Sequence, residues 1–303
     1  MRVGMHIFKN GNKIHYSEFL LGTDVTLTLY KETHIEVVRK IFELVLEYQN
    51  RFSFFYDNSE LSHINKTAYK ENTPLSDEMY YLLSLSKLYS NDTLGFFNPY
   101  LGLVQSYWRE KRELLFEDGI DEISKIAGEI SSGDVVLEKG NVRYKRPEIM
   151  IDLGGIAKGY ILGQSSRLAI SLGIDEFVLS LGGDLYVFSK GNSRVFEVAI
   201  PNPRNRSEAI ITISAQNVFI TTSGTYERFF EFGGEVYSHI INPYTGIPIT
   251  GLKSCTVVTN DPVLADVLST TLLIAPQEIR QFLIKKFQPL KVIYIDGEEI
   301  SQY

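Results

Sequence analysis

Cysteine is almost absent: Cys255 is the only one in 303 residues, which excludes an internal disulfide and any cysteine-rich zinc site. Long apolar runs are absent too; none reaches the roughly 18 to 20 residues needed to span a bilayer. The N-terminus, MRVGMHIFKNGNKIHYSEF, lacks the apolar stretch of a secretory signal. The expectation is a cytoplasmic chain, with an extracytoplasmic location open if a leader has been trimmed. Histidine is sparse: His6, His15, His34, His63 and His239 show no H-E-x-x-H spacing. A bound metal is therefore expected to be a hard ion such as Mg²⁺ on oxygen ligands. Basic runs interleaved with aromatics are missing, and the formal charge is −7, which argues against a nucleic-acid surface. Neither G-x-G-x-x-G nor G-x-x-x-x-G-K-[ST] occurs, since Lys158 is followed by Gly159. There are no repeats and no low-complexity segment.

What is present suffices for a core: 44% of residues are hydrophobic and 22% charged, in one large or two modest domains. Gly22 to Tyr30 alternates Val25, Leu27 and Leu29 with polar residues, a half-buried strand. Ile35, Val38, Ile41, Val45, Tyr48 and Phe52 recur at helical spacing, predicting a helix from His34 to Phe52. Ser53 to Asn65 reads as a polar-aromatic loop. Ser76 is a candidate N-cap, with Asp77 and Glu78 in the first turn of a helix to about Tyr89. Leu94 to Trp108 is rich in aromatics, and Pro99 forbids a central strand there. Residues 109–147 read as a peripheral insertion.

The chain is organised around Ile149 to Val187. Its pattern is strand, glycine turn, helix, strand, glycine turn, with Asp152 and Asp184 at the turns. In the helix, Ile161, Leu162, Leu168, Ile170 and Leu172 lie on or near one side, and Gly173 stops it. Strands follow at Val195–Ile200, Ala209–Ile213 and Val218–Thr221. A hairpin turned at Gly233-Gly234 comes next, then a strand from Lys253, a helix, a helix from about Gln277 and a strand at Val292–Ile295. Strands and helices mix without strict alternation, so the fold class is α+β, mixed and largely antiparallel, with flanking helices.

Three places can carry chemistry. The glycines after Asp152 either make tight turns or let a nucleotide or phosphate approach the backbone. The helix after Asn260, with Asp261 as cap and Pro262 in its first turn, is almost wholly apolar except for Asp266. A lone buried carboxylate is costly unless hydrogen-bonded or metal-bound; Thr270 lies one turn on, on the same face. His239 ends a hairpin strand, as a general base at a cleft or as a structural group.

Eight segments also resemble a known family in order and spacing. They are LGTDVTLTLY from Leu21, FSFFYDNSELSHIN from Phe52, GFFNPYLGLVQSYW from Gly95, IDLGGIAKGY from Ile151, LSLGGDLYV from Leu179, TSGTYERFF from Thr222, YSHIINPYTGIP from Tyr237 and ADVLSTTLL from Ala265. Together they are similar to the ApbE-type flavin transferases, FAD:protein FMN transferases. The resemblance implies a T-fold-like α+β unit of two lobes, with the active site in the cleft between them. It implies Mg²⁺-dependent transfer of the FMN half of FAD to a Thr or Ser hydroxyl of an acceptor flavoprotein, releasing AMP. By position, Gly155 (through its carbonyl), Asp266 and Thr270 would hold Mg²⁺. Leu21, Phe55, Phe96, Phe97, Asn98, Asp152, Lys158 and Ile240 would contact FAD, and His239 would take the acceptor's proton. Four positions depart from the family's pattern: Leu21 stands for Met, Asn98 and Asn242 for Asp, and Gly163 for a frequent Asp. Hydrolysis of FAD to FMN and AMP, or FAD binding without turnover, are the alternative activities.

Overall fold

The computed structural model describes residues 4–138 and 140–303. Met1 to Val3, within the segment read for a leader, and Lys139, inside the expected insertion, lie outside the described residues.

The chain opens with a meander, β1 (His6–Asn10), β2 (Lys13–Leu20) and β3 (Thr23–Leu29). A largely helical stretch follows: α1 (Ile35–Phe52), α2 (Glu60–Thr67), β4 (Thr73–Pro74), α3 (Asp77–Asp92), α4 (Gly102–Glu110), α5 (Arg112–Leu114), α6 (Ile120–Glu129), β5 (Val135–Glu138) and β6 (Asn141–Tyr144). Then come α7 (Ala157–Ser171), β7 (Glu176–Leu181), β8 (Asp184–Ser189), β9 (Phe196–Asn202), β10 (Asn205–Ala215), β11 (Val218–Gly224), β12 (Phe229–Phe232), β13 (Glu235–Ile241) and β14 (Pro248–Thr250). The chain ends with β15 (Lys253–Thr259), α8 (Pro262–Ile274), α9 (Gln277–Phe287), β16 (Lys291–Asp296) and β17 (Glu299–Gln302).

Among the described residues, nine strands form one sheet in the order β1-β2-β3-β7-β8-β11-β15-β16-β17, and every neighbouring pair in it is antiparallel. Alternation decides what each face packs on. Cys255 and Val257 of β15, with Val292 and Tyr294 of β16, share a core with Leu268 and Leu272 of α8 and Leu283 of α9. The intervening Val258, Ile293 and Ile295 pack on the other face against Phe196, Ile200 and Ile213 of the β9–β10 ribbon. Helices therefore cover one face and a two-stranded ribbon part of the other. Among the described residues, no helix is long and apolar enough to cross a membrane.

Most expected elements are present within a few residues. Three readings are corrected. Ser53 to Asn65 is not all loop: Ser59 accepts from Ser62 N at 2.9 Å and caps α2. Ile149 to Ile151 is not a strand. Met150 makes a single parallel bridge to Leu101, and Asn65 takes a strand's place beside Ile151, accepting from its N–H and donating to its carbonyl at 2.8 Å each. Ile170 is 38% exposed rather than core-facing. The sequence reading also missed β1, β2, α4 and the strands β4, β5, β6, β8, β14 and β17.

Candidate active site

The site is built where α7 crosses α8. Helix α8 starts as its sequence requires: Asp261 Oδ1 accepts from Val263 N at 2.9 Å and Leu264 N at 3.1 Å, with Pro262 next. Asp266, 2% exposed, points at the start of α7, whose cap residue Ile156 offers no side-chain bond. Its Oδ2 accepts from Gly159 N at 2.9 Å. A carboxylate from one helix thus satisfies an orphan N–H of another, at the end where the helix dipole favours negative charge. The contact needs glycine: a Cβ on residue 159 would lie 2.3 Å from Pro262 O and 2.8 Å from Asp266 Cβ.

Charge gathers at this crossing. Lys158 pairs with Asp184, which follows the Gly182-Gly183 turn and is fully buried, while the lysine side chain keeps 34% of its surface open. Burial opposes the lysine's charge, but Asp184 and Asp266 outweigh it and hold Lys158 above its ordinary pKa. Burial raises both acids, against the pull of Lys158, and Asp184 raises Asp266 further. Asp184 Oδ1 has no hydrogen-bond partner among the described residues. Among the described residues Asp184 and Asp266 share the Lys158 cation, and Glu227 adds negative charge nearby, so the crossing is short of positive charge.

Thr270 stands one turn beyond Asp266. Its hydroxyl lies 2.9 Å from Ser223 Oγ, which is 2.8 Å from Ser269 Oγ. Gly155 faces it: a Cβ there would sit 3.9 Å from Thr270 Oγ1 and 3.6 Å from Phe97 Cε2. Gly155, Asp266, Thr270, Lys158 and Phe97 are thus brought together. Among the described residues, no three His, Cys, Asp or Glu side chains cluster as a metal site. An oxygen site here would draw on one carboxylate, one hydroxyl and a carbonyl.

His239 is at the rim, on the outward side of β13. Its Nδ1 lies 3.1 Å from the Arg228 carbonyl, an acceptor only, so Nδ1 carries the proton and Nε2 is left with a free lone pair. The residue touches solvent, yet the surrounding protein desolvates the ring enough to lower its pKa, with the charges of Arg228 and Lys158 adding to the effect. The imidazole is neutral at pH 7. Asn242 does not orient it: its Oδ1 accepts from Tyr244 N at 3.0 Å, inside the turn after β13. Ile240 is buried at 8% exposure, its N–H donating to Ser238 Oγ at 3.1 Å.

The remaining expected contacts surround this centre unevenly. Leu21 holds a left-handed backbone at φ 56°, its N–H donating to Gln49, and Gly22 lies 3.5 Å from the Arg228 guanidinium as measured from a Cβ position. Asp152 Oδ1 accepts from Gly154 N at 2.8 Å; burial raises its pKa, opposed by Arg109 and Arg228. Phe55 is 67% exposed, with the Arg109 guanidinium 4.9 Å from its ring centroid. Phe96 lies 4.8 Å from the Tyr244 ring, and no ring contact joins Phe55 to Phe96 or Phe97 among the described residues. Asn98 is occupied: Oδ1 accepts from Tyr100 N at 3.1 Å and Nδ2 donates to Ile130 O at 3.2 Å. Its polar groups serve the loop rather than standing free for an adenine edge.

Arg228, Arg109 and Ser223 were not found from sequence. For Ser223 a signal existed. Phe219, Thr221 and Ser223 alternate onto the helix-covered face of β11, where polar side chains need a reason. Arg228 acts through its carbonyl and charge, which no side-chain pattern announces.

Fold and site together define an α+β protein with a buried, cation-deficient oxygen site at a glycine-mediated helix crossing and a neutral histidine at its rim. The family model for ApbE matches residues 21–294. The chain belongs to the ApbE family. A relative from Klebsiella pneumoniae (strain 342), named FAD:protein FMN transferase, is 27% identical over 86% of this chain and 82% of its own. One from Treponema pallidum (strain Nichols), of the same name, is 26% identical over 92% and 83%. The crystal structure of the ApbE protein from Thermotoga maritima superposes with a TM-score of 0.86 at 25% identity, covering 99% of this chain and 97% of that one.

Proposed function

We propose that this chain is an Mg²⁺-dependent FAD:protein FMN transferase. The observation that carries the reading is Asp266: a buried carboxylate that shares one cation, Lys158, with Asp184, with Thr270 one turn on and Gly155 facing the Thr270 hydroxyl. That donor chemistry fits a hard divalent ion, held by Asp266, Thr270 and the Gly155 carbonyl. When bound, Mg²⁺ would neutralise charge on a pyrophosphate. Lys158, kept protonated, adds a second positive charge beside it. His239 Nε2 removes the proton from an acceptor Thr or Ser hydroxyl. That oxygen bonds the FMN phosphorus as the bond to the AMP phosphate breaks, and AMP leaves. The exposed faces of Phe55 and Phe96 offer apolar walls for flat rings. Residues 109–147 would serve as a peripheral insertion that buttresses the turn after His239, since Ser124 Oγ donates to Thr245 O at 2.7 Å.

The test is incubation with FAD, Mg²⁺ and candidate acceptor domains, read by mass spectrometry of the acceptor. A covalent FMN adduct that disappears on chelation supports the reading. FAD binding without adduct on any cognate acceptor refutes it. Solvent exposure of His239 favours a second reading, FAD hydrolysis, which AMP release without acceptor would reveal.

A further inference from the structure

A cavity of about 400 Å³ opens between α3, α7 and the start of α8. None of Lys158, His239, Asp266 and Thr270 lines it. Its size lies in the range of small-molecule sites. The walls are aromatic. Tyr186 and Phe219 stack at 4.2 Å on the sheet side, and Tyr81 and Tyr89 come from α3.

The polar groups on the wall divide into satisfied and unsatisfied. Asp261 is satisfied, capping α8 and accepting from the Tyr89 hydroxyl. Ser166 is 1% exposed and its hydroxyl has no hydrogen-bond partner among the described residues. An orphan buried hydroxyl is costly unless something meets it. Arg167, exposed at the mouth, makes no ion pair among the described residues; its Nε donates to Gly163 O at 3.4 Å. One turn before it, Gly163 leaves the mouth free of a side chain. A Cβ there would come 2.6 Å from Pro262 Cγ and 3.3 Å from the Arg167 guanidinium.

An unpaired guanidinium, an unmet hydroxyl and stacked rings describe one ligand chemistry. We propose that this cavity binds a small aromatic acid, its ring on the Tyr186–Phe219 wall, its carboxylate on Arg167 and a polar substituent on Ser166. Arginine is suited to a carboxylate by its planar fork, and aromatic walls to a planar ring. The inference does not depend on the transferase reading.

The probe is 4-hydroxybenzoate, titrated calorimetrically into the whole protein with and without saturating FAD. Saturable binding unchanged by FAD is expected, with Arg167→Gln and Tyr81→Ala each weakening it about tenfold and neutral 4-hydroxybenzamide binding about tenfold more weakly. Both side chains are exposed, so the variants keep the fold, which circular dichroism checks. No saturable binding up to about 10 mM overturns the proposal. So does binding that FAD displaces, which places the probe in the flavin cleft, or binding indifferent to both substitutions.

Discussion

Replacing Gly159 with alanine isolates the contact on which the site is built. A Cβ at that position meets Pro262 O at 2.3 Å, and ordinary contact starts at 3.4 Å, so α7 must withdraw from α8 by about 1 Å. The obstacle is backbone, which cannot rotate away as a side chain would. Overpacking costs about 1 to 3 kcal/mol, and stretching the bond from Gly159 N to the Asp266 carboxylate adds about 1.5 to 3. Against this stands a helix-propensity gain of about 1 kcal/mol for alanine over glycine. The net expectation is a loss of about 1.5 to 5 kcal/mol, lowering Tm by roughly 2 to 8 °C in a chain of this size. Gly128 supplies the control. It is also helical but exposed, and a Cβ there meets nothing within 4 Å. Gly128→Ala should leave Tm unchanged or raise it slightly. Calorimetric unfolding of both variants, with urea midpoints as a second probe, decides the matter. Equal effects from the two substitutions would refute the close-approach argument.

Other perturbations bear on the chemistry. Asp266→Ala should abolish Mg²⁺-dependent FMN transfer while the protein remains folded; full activity at ordinary Mg²⁺ concentrations would remove this carboxylate from the metal site. His239→Ala should lower kcat about 10² to 10⁴-fold with little change in FAD affinity, measured by acceptor flavinylation under saturating FAD. Because the pKa of His239 is lowered from 6.5, its neutral form persists further into acid. Activity should therefore hold down through pH 6.5 and fall only as pH drops through the lowered value; an acid limb centred above 6.5 would contradict this. Asp184→Asn leaves Lys158 without its buried partner and should destabilise by about 3 kcal/mol, read by denaturant unfolding; an unchanged midpoint would show that the pair contributes nothing.

Much of the scaffold could be read from the residues because its causes are local. Alternation of Val25, Leu27 and Leu29, the Asp261-Pro262 start of α8 and the Gly233-Gly234 turn each depend on neighbours within a few residues. Asp266 drew notice for the same reason, a lone acid in an apolar helix. Where local signals were weak or overlaid, reading failed: Ser59 hid a helix start in an aromatic-rich stretch, and Asn65 stood in for a strand beside Ile151. The motif strings placed the chain in its family, but they did not show what each side chain touches.

Tertiary structure decided those partners. Asp266 answers a backbone N–H 107 residues away, Lys158 is held by Asp184, and Asn98 is spent on Ile130 rather than left open. The tautomer of His239 follows from the Arg228 carbonyl across a hairpin. Periodicity, caps and turns act within one or two turns of chain, so the sequence alone determines elements and their buried faces. Hydrogen-bond partners and charge balance at the site depend on which distant elements pack together, and that is settled only when Gly159 lets two helices touch.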